Sequence, residues 1–339
     1  MKTSEILLRL INTFGITSYE NNVYKEIKNI LGEYYPEISF DNYGTGSLVA
    51  KYGNEGKKIA LFAHADEIGV VVSKIENSQF VRVAPVGGVD PRTLIAKRIL
   101  LRTADGEKTG VAGMLAPHLQ SAATKDKSPS FDELFIDFSI SGGTKNIEVG
   151  DMGVIKTEGT ELENGFITGK SIDNRAGITV LLKTIDYLKD LKFKGELYLS
   201  FNKGEEVGLV GATGMANMLN PDAAIVVDVT FAGENESNFE IMKMDEGPAI
   251  AVGAPVNRDI FESLKNTAEE NNIKYQVEVT PNRSGTEADS VQTSLCGIRT
   301  GIVSVPIMNM HSPVEIVSCK DIDDSAKLIA LFAFEEAKK

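Results

Sequence analysis

The sequence of 339 residues is 42% hydrophobic and 24% charged, an ordinary globular composition with enough apolar residues for a sizeable core. Its length suits two domains, or one large domain that carries an insertion. The formal net charge of −13 argues against nucleic acid and anionic membrane surfaces as partners, and two cysteines, Cys296 and Cys319, provide no disulfide framework or thiolate zinc site.

The amino-terminal segment is predicted to be helical. Helices are expected over residues 4–14 and 18–32, with Ser18 as the N-cap of the second, and a short β region follows through residues 48–50. The first ten residues lack the cleavage site of a signal peptide, and no apolar run reaches the ~18 residues of a membrane span. We therefore expect a cytoplasmic protein.

A continuous apolar run at residues 59–63 predicts a strand that is buried on both faces and ends at His64. After it, the pattern changes to short β segments separated by Asn, Asp and Gly turns, at 69–75, 79–86, 95–102, 110–115, 134–140 and 153–157. We predict that residues 71–162 form a small all-β domain inserted into an α/β domain, which comprises residues 1–70 and 163–339.

Beyond residue 169, strands and helices alternate. Helices are predicted over residues 172–191, 211–219, 258–271 and 321–337, and strands over residues 196–201, 223–228, 274–279 and 301–305. Such alternation is typical of βαβ units. The fold class is therefore expected to be α/β, with a largely parallel central sheet flanked by helices.

Glu205 and Glu206 are adjacent carboxylates in a glycine-flanked loop after the predicted strand at residues 196–201. They could be solvated loop charges. At the edge of a core, however, two carboxylates lose hydration and repel each other unless a positive charge lies beside them. A metal ion would supply that charge.

The predicted strand ends carry further candidate ligands. His64 follows one strand, Asp228 another, and His311 the last, so two of the only three histidines lie at strand ends. Ligands collect at the carboxyl ends of the strands in open α/β sheets, and Asp173, at a helix start, could bridge two cations. Imidazole and carboxylate ligands suit Zn²⁺, Co²⁺ or Mn²⁺, and a pair of such ions typically hydrolyses amides.

These motifs resemble those of the dinuclear metallo-aminopeptidases of the tetrahedral (TET) type, which include glutamyl and deblocking aminopeptidases of peptidase clan MH. The resemblance extends over essentially the whole chain. It is carried by His64-Ala65-Asp66-Glu67-Ile68-Gly69, Asp173-Asn174-Arg175, Gly204-Glu205-Glu206-Val207-Gly208, Asp228-Val229-Thr230, His311-Ser312-Pro313 and the Val83–Pro91 segment.

The resemblance implies a role for each site residue, with two divalent ions, Zn²⁺ or Co²⁺ ahead of Mn²⁺. His64 and Asp228 would bind one ion, Glu206 and His311 the other, and Asp173 would bridge them. Glu205 would be the general base, and Asp66 would orient His64. A cis peptide bond is implied between Asp173 and Asn174.

The resemblance also implies an aminopeptidase of short peptides that assembles as a homo-oligomer, a tetrahedral dodecamer built through a PDZ-like barrel. The chain departs from the family pattern at Gly204, at Glu287 and in Met308-Asn309-Met310. Asp245, Glu246, Glu287 and Asp289 add negative charge to segments that resemble pocket loops. We therefore expect neutral or basic N-terminal residues to be preferred over acidic ones.

Two other functions compete with this interpretation. Endoglucanase activity has been ascribed to some relatives, but its chemistry needs two carboxylates and no metal, so chelation would discriminate. A catalytically silent scaffold is the third possibility. Among the remaining candidates, His118 is expected to order a loop, and Arg175 is expected to form a buried salt bridge rather than to bind substrate carboxylates.

Overall fold

The computed structural model describes residues 1–42, 44, 46–120, 127–233 and 241–339, which form an eleven-stranded sheet, a closed six-stranded barrel and helices. The helices are α1 (Thr3–Ile11), α2 (Asn21–Tyr34), α3 (Pro91–Leu94), α4 (Ile172–Leu188), α5 (Val210–Leu219), α6 (Arg258–Glu270), α7 (Ala288–Val291) and α8 (Cys319–Glu336). The strands are β1 (Ser39–Asn42), β2 (Leu48–Tyr52), β3 (Lys58–His64), β4 (Gly69–Ile75), β5 (Phe80–Val86), β6 (Arg98–Thr103), β7 (Gly106–Gly113), β8 (Phe135–Asp137), β9 (Met152–Ile155), β10 (Thr160–Glu161), β11 (Phe166–Gly169), β12 (Glu196–Asn202), β13 (Ala223–Phe231), β14 (Ala249–Gly253), β15 (Gln276–Thr280), β16 (Thr300–Met308) and β17 (Glu315–Ser318).

The large sheet is mixed rather than largely parallel. Its main path runs β1-β2-β12-β3-β13-β16-β17-β11-β10, and β14 branches from β16 and pairs with β15. The four central strands β12, β3, β13 and β16 are mutually parallel, whereas the pairs on both flanks are antiparallel. The prediction of an α/β sheet flanked by helices is confirmed, and the parallel arrangement holds for its centre.

Both faces of the central strands are covered, which explains why their sequences are continuously apolar. In β3, Ile59 and Leu61 pack with the core beneath α4 and α8, while Ala60 and Phe62 pack on the opposite face with residues of α5 and α7. A strand that is buried on both faces cannot show the alternation of a half-exposed strand. Every apolar residue of β3 therefore contributes to one of the two cores.

The barrel closes in the order β4-β5-β8-β7-β6-β9 around its own apolar core. The strand predicted over residues 134–140 ends at Asp137 instead. The Asp137 carboxylate accepts a hydrogen bond from the Ser139 amide, at 2.7 Å, and turns the chain. Ile136 and Phe138 are buried, but Ile140 lies on a 3₁₀ turn and is 92% exposed.

Other differences concern element ends and short strands. Ser18 is not an N-cap, because its φ is +78° and α2 begins only at Asn21. The strand predicted from residue 95 starts at Arg98, since Asp90 caps the short helix α3 and accepts a hydrogen bond from the Arg92 amide. Strands β1, β10, β11, β14 and β17 were not predicted. No helix within the described ranges has the combined length and apolarity needed to cross a bilayer.

Candidate metal centre

The four central parallel strands end at one edge of the sheet, and each delivers a candidate ligand there. His64 is the last residue of β3, and Asp228 lies towards the end of β13. Glu206 follows β12, and His311 follows β16. Because β12, β3, β13 and β16 are consecutive neighbours, side chains that are up to 247 residues apart in sequence meet at this edge.

Asp173, at the start of α4, lies between the two histidines. Its Oδ1 is 3.1 Å from Nε2 of His64, and its Oδ2 is 3.2 Å from Nε2 of His311. One carboxylate therefore presents one oxygen to each imidazole, as a bridging ligand would. The peptide bond between Asp173 and Asn174 is cis, as the resemblance implies.

The donor atoms form two triads that share Asp173. His64, Asp173 and Asp228 form one, and Asp173, Glu206 and His311 form the other, with the donor atoms of each triad within 4.8 Å of one another. Imidazole nitrogens with carboxylate oxygens are the donor set that Zn²⁺, Co²⁺ and Mn²⁺ accept. The residues present therefore fit two divalent ions with a common ligand.

The electrostatics of the site also favour cations. Burial and the charge of Asp173 raise the pKa of Glu206 to about 8. Burial likewise raises the pKa of Asp228 well above its usual range. Burial opposes ionisation of Asp173, but hydrogen bonds with His311 and His64 hold its pKa well below the ordinary value. A bound cation would stabilise the ionised form of all three carboxylates.

Glu205 faces the same cleft but belongs to neither of the two triads. Its Oε2 lies 4.0 Å from Nε2 of His64, and the side chain is half-buried. A third grouping joins it with His64 and Glu206. Burial, with repulsion from Asp173 and Asp66, raises the pKa of Glu205. This placement suits a proton acceptor that is held beside the ligands.

Asp66 is fully buried and contacts more than the histidine that it was expected to orient. Its Oδ1 lies 3.5 Å from Nδ1 of His64. The same carboxylate accepts hydrogen bonds from the backbone amides of Glu205, at 3.1 Å, and Glu206, at 3.3 Å, and from the hydroxyl of Thr17, at 2.8 Å. Asp66 therefore also fixes the loop that carries the glutamate pair.

Glu315 plays a similar part on the other side of the site, and the sequence interpretation missed it. Its carboxylate accepts the backbone amide of Asp173 at 3.2 Å and that of His311 at 2.8 Å. Glu315 is 2% exposed, in agreement with a structural acceptor of main-chain donors. The sequence did show a glutamate four residues after the candidate ligand His311. It could not show which backbone amides this glutamate accepts, because the tertiary fold determines that.

The remaining candidates lie outside the ligand cluster. Arg175 is fully buried with Nη2 3.9 Å from Glu67, and it donates to the Ala65 carbonyl, which confirms the buried salt bridge. Glu287 is buried and accepts a hydrogen bond from Asn202. His118 is exposed on a 3₁₀ turn, and its loop-ordering role stays a prediction.

A cleft of about 500 Å³ opens over the ligands. Gly88 of the barrel lines it, and a Cβ at this position would lie 2.6 Å from Nδ1 of His311, so only glycine permits this approach. The acidic residues predicted to set specificity do not line the cleft. The Asp245 carboxylate accepts a hydrogen bond from Ser318, Glu246 forms an ion pair with Lys274, and Asp289 accepts a hydrogen bond from Ser284. The cleft contains Glu278 instead, which the sequence interpretation did not single out.

Comparison with known proteins identifies relatives over the whole chain. A family model described as M42 glutamyl aminopeptidase matches residues 46–328. The lysyl aminopeptidase of Pyrococcus furiosus is 30% identical over 342 residues, which cover 98% of this chain and 97% of that protein.

Solved structures agree with this. Pyrococcus horikoshii TET1 peptidase, which can assemble into a tetrahedron or a large octahedral shell, superposes with a TM-score of 0.85 at 28% identity, over 98% of this chain and 99% of that one. PhTET1-12s, a dodecamer in its asymmetric unit, gives a TM-score of 0.86 at 28% identity, and the match covers 99% of this chain and 100% of that one. An endoglucanase of Thermotoga maritima gives a TM-score of 0.77 at 29% identity, and the match covers 98% of this chain and 97% of that one.

Proposed function

This chain belongs to the M42 glutamyl aminopeptidase family and is a metal-dependent aminopeptidase, and we propose that it releases N-terminal residues from short peptides in the cleft above Asp173. The observation that carries this proposal is the position of Asp173, whose two oxygens each face one imidazole. That arrangement suits two ions that share a ligand.

In this proposal, five side chains would hold two divalent ions. His64 and Asp228 would hold one, Glu206 and His311 would hold the other, and Asp173 would be the ligand common to both. Zn²⁺ or Co²⁺ suits this donor set best, and Mn²⁺ also fits it. The chemistry that such ions would supply is activation of water and polarisation of the scissile carbonyl.

Glu205 acts as the general base. As the water oxygen attacks the carbonyl carbon, the Glu205 carboxylate accepts the proton that the water loses. When the carbon–nitrogen bond breaks, the same carboxyl group returns this proton to the leaving amine. Asp66 keeps Glu205 within reach because it holds the amides of both glutamates, and it orients His64 through Nδ1.

A polysaccharide hydrolase is the second candidate, because one structural relative is an endoglucanase. Glycosidases place two carboxylates on opposite sides of a glycosidic bond and need no metal. The carboxylates of this cleft instead surround two imidazoles, and the sequence has no Trp to form a sugar platform. These features favour the peptidase.

We further propose that the barrel is a PDZ-like domain that mediates assembly into a tetrahedral dodecamer in the cytoplasm and restricts access to small or unfolded peptides. Two observations support this role. The barrel region exposes the apolar side chains of Leu115, Leu119 and Val149, which are 57%, 65% and 63% accessible, and exposed apolar groups of this kind are common at interfaces. PhTET1-12s, with the same fold, is a dodecamer.

Metal removal provides the decisive test. Chelation should abolish release of p-nitroaniline from a panel of aminoacyl-p-nitroanilides, and adding back Zn²⁺ or Co²⁺ should restore it together with two ions per chain in metal analysis. A matched N-acetylated substrate should resist cleavage, because an aminopeptidase requires a free N-terminus. Chelator-resistant cleavage of carboxymethylcellulose, without peptidase activity, would contradict the proposal.

A further inference from the structure

Glu278 is a carboxylate of the cleft that the proposed reaction does not use. Five carboxylates are found among the described residues that line the cleft. Asp173, Glu206 and Asp228 are assigned to the ions, and Glu205 is assigned to the proton. Glu278 is left without a function, although it lies in the cavity that must accept the substrate.

Its neighbours fix where this carboxylate lies. Glu278 projects from β15, is half-buried, and accepts a hydrogen bond from the hydroxyl of Thr230 at 2.6 Å. Thr230 follows Asp228 by two residues on β13, so Thr230, the hydrogen-bond partner of Glu278, is about 7 Å further along the strand than the candidate ligand. Within the described ranges, Glu278 has no ion-pair partner among the lysine, arginine and histidine side chains.

The cleft also has apolar side chains beside its carboxylates. Phe231 and Met310 are among its lining residues, and Phe231 is 65% exposed. A cleft with exposed apolar side chains and a carboxylate set back from the reacting centre is complementary to a side chain with a methylene stem and a terminal cation. Lysine and arginine have this form, since their stems pack on apolar surface while the charged group finds an acceptor.

We propose that Glu278 forms the end of a subsite for the side chain of the substrate's N-terminal residue and selects lysine and arginine. This inference rests on the proposed aminopeptidase function and narrows its substrate class. It replaces the more remote acidic residues Asp245, Glu246 and Asp289 as the source of selectivity. The ammonium or guanidinium group donates to the Glu278 carboxylate, whose remaining acceptor capacity is not used by Thr230.

The test compares two substrates that differ by one charged group. Lysyl- and norleucyl-p-nitroanilide share the unbranched stem, but only lysine carries the ammonium. Glu278→Gln should lower kcat/KM for the lysyl substrate by about 10–100-fold, as expected for loss of a hydrogen bond between charged groups, and leave the norleucyl value within about 3-fold. Glu246→Gln removes an equal charge outside the cleft and should change neither value.

The outcomes are distinguishable because both substrates report on the same folded protein. A parallel loss for the lysyl and norleucyl substrates would overturn the inference, since it would place Glu278 at the α-amino group or in a structural role. An unchanged kcat/KM of Glu278→Gln for lysyl-p-nitroanilide would also overturn the inference. If the metal-loaded wild type cleaved neither substrate nor the leucyl analogue, the proposed function itself would fail, and this inference with it.

Discussion

At the scale of single residues, two buried carboxylates outside the proposed ligand set define the geometry of the site. Asp66 accepts the amides of Glu205 and Glu206, and Glu315 accepts those of Asp173 and His311. Carboxyl oxygens that accept main-chain N–H groups in a buried setting fix the backbone as well as the side chains. The ligands are therefore held in place before any ion binds.

Substitutions of the adjacent glutamates Glu205 and Glu206 should have different effects on turnover and metal content. Glu205→Gln preserves size but removes the base, so turnover should fall by ~10²–10⁴-fold while metal content stays unchanged. Glu206→Gln should instead lower the occupancy of one ion, and excess metal should partly restore activity. Steady-state kinetics with metal analysis of both variants checks this. Metal loss in the first variant with full occupancy in the second would reverse the assigned roles.

Glu287 should make stability depend on pH. Burial raises its pKa to about 8, so between the unfolded value of about 4.3 and pH 8 the folded chain binds more protons than the unfolded chain. The free energy of unfolding therefore falls with rising pH, by up to about 1.4 kcal/mol per pH unit, and Glu287→Gln removes this penalty.

The stabilisation of Glu287→Gln relative to wild type should thus be larger at pH 8 than at pH 5, as measured by urea unfolding of the metal-free proteins. The exposed residue Glu246 provides the control, and Glu246→Gln should show no such gain. An equal difference between Glu287→Gln and wild type at both pH values would contradict the expectation.

At the scale of elements, strands with strong local patterns were predictable and those defined by distant partners were not. The continuous apolar run of β3 and the turn-bounded β4 were predicted closely. Strand β17 was missed because Glu315 breaks its apolar pattern, and its burial depends on amides that tertiary folding brings near. Glu278 was missed for the same reason, since β15 faces the cleft only through its pairing with β14.

The candidate site divides in a similar way. Its five proposed ligands follow from strand ends and from the family pattern, and the structure brings their donor atoms together, although their roles stay predictions. The contacts of Asp66 with the glutamate loop could not be predicted, because Asp66 is 139 residues from Glu205 and 140 residues from Glu206 in sequence, and only the tertiary fold brings them together.

The barrel should depend on Ile136 but not on Ile140. Ile136 is 1% exposed in the barrel core, so Ile136→Ala should cost about 2–5 kcal/mol of stability. Ile140 is 92% exposed, and Ile140→Ala should change stability by less than about 0.5 kcal/mol. Urea unfolding at equal protein concentration compares them, and a similar loss in both variants would show that Ile140 is covered.

At the scale of the whole molecule, the barrel and the sheet meet at the cleft. Gly88, which follows the barrel strand β5, lies directly beside His311, so the wall of the cleft belongs partly to the barrel region. Any arrangement of barrels in an assembly therefore also determines which openings lead to the ligands.

Light scattering at micromolar concentration should report a mass of about twelve times the 36.7 kDa chain, since PhTET1-12s is a dodecamer with the same fold. Cleavage rates should also fall as peptide substrates become longer, because the proposed assembly would admit only small or unfolded peptides. Leucyl-p-nitroanilide serves as the size-independent control. A monomeric mass, or equal rates for short peptides and folded proteins, would contradict the proposed assembly.

The position of His311 after β16 has a consequence for biosynthesis. The ribosome synthesises the amino-terminal part of a chain first, and folding proceeds domain by domain as the chain emerges. A nascent chain that has reached only β13 already contains His64, Asp173 and the glutamate pair, but it lacks β16 and the second imidazole. Until β16 and His311 have been translated, the proposed site therefore lacks one of its two imidazoles, and a chain that stops earlier should not hydrolyse peptides at the full rate.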